Sequence, residues 1–127
     1  MKTLILYIAA LLLCGCATVS KQEAATANFG PLPSNYQDRV KAFMSTQLRD
    51  PFSAVYYFET PRKGFFQDGL LAGGKKHFGW IVPVAINAKN GFGGYAGQEQ
   101  HYVFLGSDST MADCTISMGQ MANFVKG

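Results

Sequence analysis

Residues 76–86 read KHFGWIVPVAI, the strongest strand pattern in the sequence. Side chains two positions apart lie on the same face of a β-strand. Five large apolar residues are therefore predicted to share one face: Phe78, Trp80, Val82, Val84 and Ile86. Pro83 lacks a backbone N–H, so the strand is expected to lie at a sheet edge, or to face a bulge at this residue. The rest of the predicted fold is arranged around this strand.

Three neighbouring segments predict further strands. Residues 53–60, SAVYYFET, are rich in β-branched and aromatic residues and end before a proline. Residues 99–106, EQHYVFLG, form the last clear strand pattern. A shorter strand interrupted by glycine is predicted within residues 63–74. Together these segments favour a small antiparallel sheet of three to five strands.

The segment before the sheet predicts an amphipathic helix. Ser34 is a suitable N-cap, and Gln37 three positions later completes a capping box. Apolar residues recur at helical spacing: Tyr36, Val40, Phe43, Met44 and Leu48. The dipeptide Asp50-Pro51 is expected to end the helix, because the residue before a proline disfavours helical geometry.

The end of the chain predicts a short C-terminal helix, since Met118, Met121 and Val125 would share one helical face. With 127 residues the chain is long enough for one small domain. The fold class predicted for residues 34–127 is therefore a single α+β domain. In this domain the N-terminal helix packs on the antiparallel sheet.

The N-terminal residues predict export and lipidation. Lys2 precedes an apolar stretch too short to span a bilayer, which is typical of a signal peptide over residues 1–15. The following LCGC resembles the lipobox of bacterial lipoproteins. The resemblance implies cleavage before Cys16, a diacylglycerol thioether on its sulfur and an acyl chain on its amino group. Ala17 then favours sorting to the outer membrane, with the body facing the periplasm.

Residues 16–33 are predicted to be the lipidated cysteine followed by a flexible tether, because they lack periodicity and are small and polar. Removing Lys2 leaves 10 Lys and Arg of the original 11 against 8 Asp and Glu, a balance too weak to indicate a polyanion partner. With Cys14 removed and Cys16 acylated, Cys114 has no disulfide partner. It is predicted to be a small buried residue.

Residues 87–97, NAKNGFGGYAG, connect the two best strands. Asn90-Gly91 favours a turn, and Phe92 and Tyr95 are expected to hold the loop against the sheet. The same loop is a candidate binding site. Its candidate ligand-contacting residues are Asn87, Lys89, Asn90 and Tyr95. A purely structural role for these residues is the alternative, and Lys89 distinguishes the two because a turn has no need of a lysine there.

Two motifs together resemble a group of small, mostly uncharacterised bacterial exported proteins and lipoproteins. They are DPFSA at residues 50–54 and NAKNGFGGYAG at 87–97, and the resemblance extends over about residues 36–105. Members carry a cysteine before the second motif that can pair with a later one. Here Pro83 stands near that place, so the resemblance implies no disulfide for Cys114. It implies no particular activity.

The remaining polar residues indicate neither a metal site nor a catalytic site. His77 and His101 lack a cluster of further ligands, and His77 is expected at the surface because two lysines precede it. The serines and Asp108 near residue 108 are typical of a turn. Asp113 beside Cys114 is expected to raise the pKa of that thiol. Nucleic acid is the least favoured partner for an exported protein. Taken together, these residues predict no enzyme, metal site, cofactor or nucleic-acid partner.

The predicted function is a non-enzymatic outer-membrane lipoprotein that acts as an accessory or binding component of a cell-envelope assembly, such as a secretion, conjugation or outer-membrane biogenesis complex. Its expected partners are the membrane, through the lipid anchor, and an envelope protein. The alternative is a periplasmic module that binds a ligand or inhibits a hydrolase through residues 87–97.

Overall fold

A computed structural model describes residues 18–126, so Cys16 lies outside the described residues. Six β-strands are found in this range. They are β1 Val55–Phe58, β2 Arg62–Gln67, β3 Lys76–Lys89, β4 Tyr95–Gly106, β5 Met111–Asp113 and β6 Ala122–Phe124. Two helices precede them there, α1 Lys21–Thr26 and α2 Tyr36–Ser45. Within residues 18–126 no helix is both long and apolar enough to cross a bilayer.

The strands form one antiparallel sheet in the order β5-β4-β3-β2-β6, with β1 paired to the second half of β3 beside β2. Phe58 pairs with Val84, and Arg62 pairs with Ile81. Three residues between β1 and β2, 59–61, therefore lie opposite two residues of β3, 82 and 83, and this bulge separates β1 from β2. Pro83 faces this bulge, where its carbonyl accepts the Glu59 N–H at 3.0 Å. Pro83 therefore lies in a central strand opposite a bulge, and the bulge is one of the two surroundings expected for a residue without a backbone N–H.

The predicted α+β class is wrong, because the protein is mainly β. Strands take 39% of the residues, whereas α2 has ten residues and α1 six. Each predicted strand is present with shifted ends, and β3 and β4 extend to Lys89 and back to Tyr95. The short strands β5 and β6 were missed, since three residues carry too little periodicity to be recognised. The sheet therefore has six strands instead of three to five.

Helix α2 covers the face of β3 that the alternation predicted, called the helix face below. Val40 and Met44 are fully buried against Val82, Val84 and Ile86. Burial of each such side chain contributes roughly 1.5–3 kcal/mol relative to its exposure. The packing of the predicted helix on the predicted strand is confirmed.

Both ends of α2 differ from the prediction. The helix begins after Asn35, whose side chain makes no capping bond, so the capping box of Ser34 and Gln37 is wrong. It ends at Ser45, ahead of Asp50-Pro51. The Asp50 carboxylate instead caps the 3₁₀ turn that follows it. This proline therefore begins an element and does not end one.

The opposite face of the sheet is buried at its centre by the C-terminal segment. Ile81 and Phe104 pack there with Cys114 and Ala122. The predicted C-terminal helix is wrong. Gly119 has φ +82°, a left-handed conformation that a right-handed helix does not use, and the chain then pairs with β2 as strand β6. The free edge of β2 supplies backbone partners that outweigh the helical pattern.

Residues 18–33, predicted to form a spacer, lie against the helix face beside α2. Phe29 is buried and its ring meets Phe78 edge-on, with 5.7 Å between ring centroids. The indole N–H of Trp80 donates to the Gly30 carbonyl at 3.1 Å. The described part of this stretch therefore belongs to the folded body.

Candidate functional site

The candidate loop joins β3 to β4 at the end of the sheet farthest from the β2–β3 turn. Asn90 organises it, because its side-chain Oδ1 accepts the N–H of Phe92 at 2.9 Å and that of Gly94 at 3.3 Å. The Asn90 N–H also donates to the Gly94 carbonyl at 2.8 Å. Gly93 has φ +80°, which a side chain would disfavour. Asn90 therefore serves as a turn residue.

The two motifs of the resemblance contact each other directly. Ser53 Oγ accepts the backbone N–H of Lys89 at 2.9 Å, and the Tyr95 hydroxyl donates to the Ser53 carbonyl at 3.2 Å. Ser53 thereby continues the pairing of β1 with β3, where Val55 lies opposite Asn87. The first motif therefore holds the base of the hairpin that the second motif forms.

The side chains of the loop are left largely free by these backbone contacts. Lys89 Nζ lies 5.7 Å from the ring centroid of Tyr95, within cation–π range, and the Tyr95 ring is half exposed. Phe92 is fully exposed, so the expectation that it holds the loop against the sheet is wrong. The loop extends beyond α2 and leaves Phe92 with no surface beneath it.

A small polar cavity of about 280 Å³ lies between the end of α2 and this hairpin. Its charged and polar lining comes from Gln47, Arg49, Lys89, Asn90, Glu99 and His101. The ring of His101 is oriented by Asp113, with Nδ1 3.0 Å from a carboxylate oxygen. His101 Nε2 is buried without a hydrogen-bond partner. The cavity lining brings two of the four candidate residues together with a histidine that the sequence did not connect to them.

Asn87, the remaining candidate, lies in β3 and its Oδ1 is also buried without a partner. Because a buried acceptor without a donor costs free energy, this atom is a site for a ligand donor or a water. The four predicted residues thus divide by role. Asn90 and Tyr95 build the hairpin, Lys89 does so only through its backbone, and the Asn87 side chain is unused.

A second polar cluster was missed by the sequence analysis. His77, expected at the surface, is only 9% exposed and lies between two carboxylates. Its Nδ1 is 2.6 Å from Asp108 and its Nε2 is 2.9 Å from Asp68. The hydrogen bond to Asp68 is the largest cause that raises the pKa of His77, with Asp108 adding to it and burial opposing it. The bond to His77 holds the pKa of Asp108 well below its usual range.

This Asp–His–Asp cluster closes two turns onto β3, because Asp68 lies in the β2–β3 turn and Asp108 in the β4–β5 turn. Both ring nitrogens are occupied by carboxylates, an arrangement that favours the imidazolium. Within residues 18–126, no group of His, Cys, Asp and Glu side chains forms a metal site. The two histidines also lie on opposite faces of the sheet, since His77 shares a face with Ile81 and His101 pairs with Val84.

Cys114 is fully buried, as predicted, and its thiol donates to the Tyr102 carbonyl at 3.1 Å. Burial, with the nearby charge of Asp113, raises the pKa of the thiol to about 12. A thiol with this pKa forms almost no thiolate near neutral pH, so it is a poor nucleophile and a poor metal ligand there. The predicted effect of Asp113 on this pKa is confirmed.

No protein-family model, curated protein or solved structure matches the chain.

Proposed function

We propose that the protein is a non-enzymatic outer-membrane lipoprotein, acylated at Cys16, that presents a binding surface to a protein of the cell envelope. One observation carries the binding role. Of the eight large apolar residues that are exposed in residues 18–126, five lie at the hairpin end of the sheet. This distal surface consists of Phe52, Val55, Tyr57, Phe92 and Tyr95. Exposed apolar patches of this kind are typical of protein contact sites.

The backbone around the distal surface supports a protein partner. Strand β1 pairs only with β3 in the described range, so its outer edge is open. Glu59 bonds inward to β3, and alternation along the strand then turns the backbone groups of Tyr56 and Phe58 outward. The side chains of Val55 and Tyr57 are exposed beside this edge, on the face of the sheet opposite the helix face. An extended segment of a partner could add to β1 and place apolar side chains on them.

The polar cavity favours the second candidate, a module that binds a small anionic ligand through Lys89 and Arg49. At about 280 Å³ it lies just below the usual range for ligand pockets. The distal surface instead carries four exposed aromatic side chains, Phe52, Tyr57, Phe92 and Tyr95, and such side chains are enriched at protein contacts. A protein partner is therefore the preferred proposal.

Site-specific photocrosslinking in cells tests the preferred proposal. A photoreactive residue at Tyr57 or Phe92 is expected to form a discrete adduct with an envelope protein. The matched control is Ile116, which is apolar and about as exposed as Phe92 but belongs to the C-terminal segment. Adducts of equal yield at Ile116, or none at either distal position, would contradict the proposal.

The small-ligand candidate is tested by Lys89→Ala with Tyr95→Phe as its control. Tyr95→Phe keeps the ring beneath Lys89 and removes only the bond to Ser53. If the cavity binds an anion, Lys89→Ala weakens binding in calorimetry while the melting temperature stays unchanged. Crosslinking at Phe92 that is unaffected by both changes would favour the protein partner.

A further inference from the structure

We propose that the β2–β3 turn, residues 68–75, inserts into the lipid surface to which the protein is anchored, so that the sheet stands on the membrane with its hairpin end outward. The anchor itself is part of the function proposed above. The turn reads DGLLAGGK, and its two leucines are the remaining large exposed apolar pair on the described chain.

The geometry of the turn exposes apolar surface without support from the body. Leu70 is 90% exposed and Leu71 is fully exposed, on a single 3₁₀ turn. A Cβ placed on Gly69 or Gly73 would meet no atom within 4 Å, so the turn projects into open space. A scattered exposed leucine needs no explanation, but two adjacent ones at a projecting tip form a compact apolar wedge.

The start of the described chain is held beside the base of this turn. Lys76 Nζ donates to the Thr18 carbonyl at 2.9 Å. Lys76 is the first residue of β3 and pairs with Gln67, the last residue of β2. Thr18, two residues after the proposed acylation site in the sequence, is therefore held at the end of the sheet that carries the leucines.

The charges at this end are compatible with an anionic lipid surface. Each of its three carboxylates has a basic partner: Glu23 contacts Lys76 at 3.2 Å, and Asp68 and Asp108 flank His77. Lys75, the last residue of the turn, has a side chain that is 69% exposed and an Nζ that lies 4.0 Å from Asp108. With His77 protonated, Lys75, Lys76 and His77 balance Glu23, Asp68 and Asp108, so lipid phosphates would meet an exposed ammonium group at an end without net charge.

An apolar groove of about 750 Å³ on the helix face begins beside Thr18 and extends this lipid-compatible surface. Its apolar lining includes Phe29 and Phe65, and three lysines line it as well: Lys21, Lys63 and Lys126. No acidic residue is among its lining residues. The groove supports a lipid neighbour independently of the leucines.

The arrangement sets the orientation of the whole molecule. Strand β3 runs 14 residues from Lys76 to Lys89. At about 3.3 Å per residue, its far end lies up to roughly 43 Å from its start. A body standing on the β2–β3 turn would then present the distal surface to the periplasm. A long flexible spacer would permit every orientation equally.

Fluorescence quenching by brominated lipids tests the insertion. Leu71→Trp and its matched control Phe92→Trp each place an indole at a fully exposed apolar position, one at each end of β3. Each full-length acylated variant is reconstituted into vesicles of phosphatidylethanolamine and phosphatidylglycerol, and the emission of Trp80 alone is subtracted. We expect brominated lipid to reduce the added Leu71→Trp emission at least twofold and to leave Phe92→Trp unchanged.

Several outcomes would overturn the inference. Equal quenching at both positions, or none at Leu71→Trp in acylated protein, refutes insertion while leaving the anchor and its partner role intact. Emission of Leu71→Trp that shifts to the blue with protein concentration, without quenching, refutes it in favour of a contact between two copies.

A second measurement separates the turn from the anchor. The chain carrying Cys16→Ser and produced without the predicted signal peptide, residues 1–15, is expected to float with these vesicles, and Leu70→Ser with Leu71→Ser is expected to weaken partitioning roughly tenfold. Flotation that depends on the leucines supports insertion even if intact mass shows no acyl chain on the native protein. Flotation that ignores the leucines refutes insertion.

Discussion

The substitution His77→Gln isolates the contribution of the Asp–His–Asp cluster. A protonated His77 donates one charge-assisted hydrogen bond to Asp108 and one to Asp68. Glutamine is similar in length but neutral, and its amide group cannot donate to two carboxylates on opposite sides. The turns that contain Asp68 and Asp108 would each retain their own internal bonds, so the variant is expected to fold.

The expected loss of stability follows from these two bonds. A hydrogen bond to a charged group contributes roughly 1.5–3 kcal/mol, and glutamine can replace one of the two with a weaker neutral donor. The bond to Asp108 must be discounted, because 39% of that side chain is exposed and solvent screens the pair. We therefore expect a loss of about 2 kcal/mol in the free energy of unfolding. For a body of this size, this corresponds to a drop of roughly 9 °C in melting temperature.

The loss should depend on pH in a defined direction. The folded-state pKa of His77 is raised, so its contribution is complete below the unfolded value of about 6.5 and disappears as the pH rises through the folded pKa. The pKa of Asp108 is lowered, so its contribution is present above about pH 3.9 and is lost as the pH falls. The difference between the two proteins should therefore be greatest between about pH 4 and 6.5.

Urea unfolding of both proteins at pH 5.5 and pH 9 measures this difference. Taking the difference between wild type and variant at each pH cancels the contribution of groups far from the cluster. A loss below about 0.5 kcal/mol at pH 5.5 would show that the cluster does not stabilise the turns. A larger loss of unfolding free energy at pH 9 than at pH 5.5 would contradict the predicted direction of the pH dependence.

Two further predictions concern the core of the sheet. Gly79→Ala should destabilise the protein by about 2 kcal/mol or more in chemical unfolding, because the added Cβ would lie 2.0 Å from the Leu105 carbonyl oxygen. Gly69→Ala, whose Cβ meets nothing within 4 Å, is the control and should change stability by less than about 0.5 kcal/mol; equal effects would refute the predicted clash. Cys114 should resist iodoacetamide in the folded protein at pH 8 and react after denaturation in guanidinium, since it is buried and its pKa is raised to about 12. Labelling of the folded protein, read by intact mass, would contradict this.

Local pattern determined much of the central architecture. Alternation in residues 76–86 was enough to predict β3 and its apolar face, and helical spacing predicted that Val40 and Met44 would pack on it. The missing N–H of Pro83 limited its surroundings to an edge or a bulge. Likewise, the turn predicted from Asn90-Gly91 is present, and it is built by the Asn90 side chain together with Gly93 in a left-handed conformation. Each of these features depends on residues close together in the chain, so the sequence by itself determined them.

Tertiary contacts decided the rest. The C-terminal segment carried a helical pattern but became β6, because the edge of β2 offered backbone partners from residues about sixty positions away. His77 followed two lysines and was expected at the surface, yet two turns brought Asp68 and Asp108 onto its ring. The spacer pattern of residues 18–33 likewise did not show that Phe29 would find Phe78. Such pairings join residues distant in sequence, and no local periodicity records them, because their free energy arises only when the sheet brings the partners together.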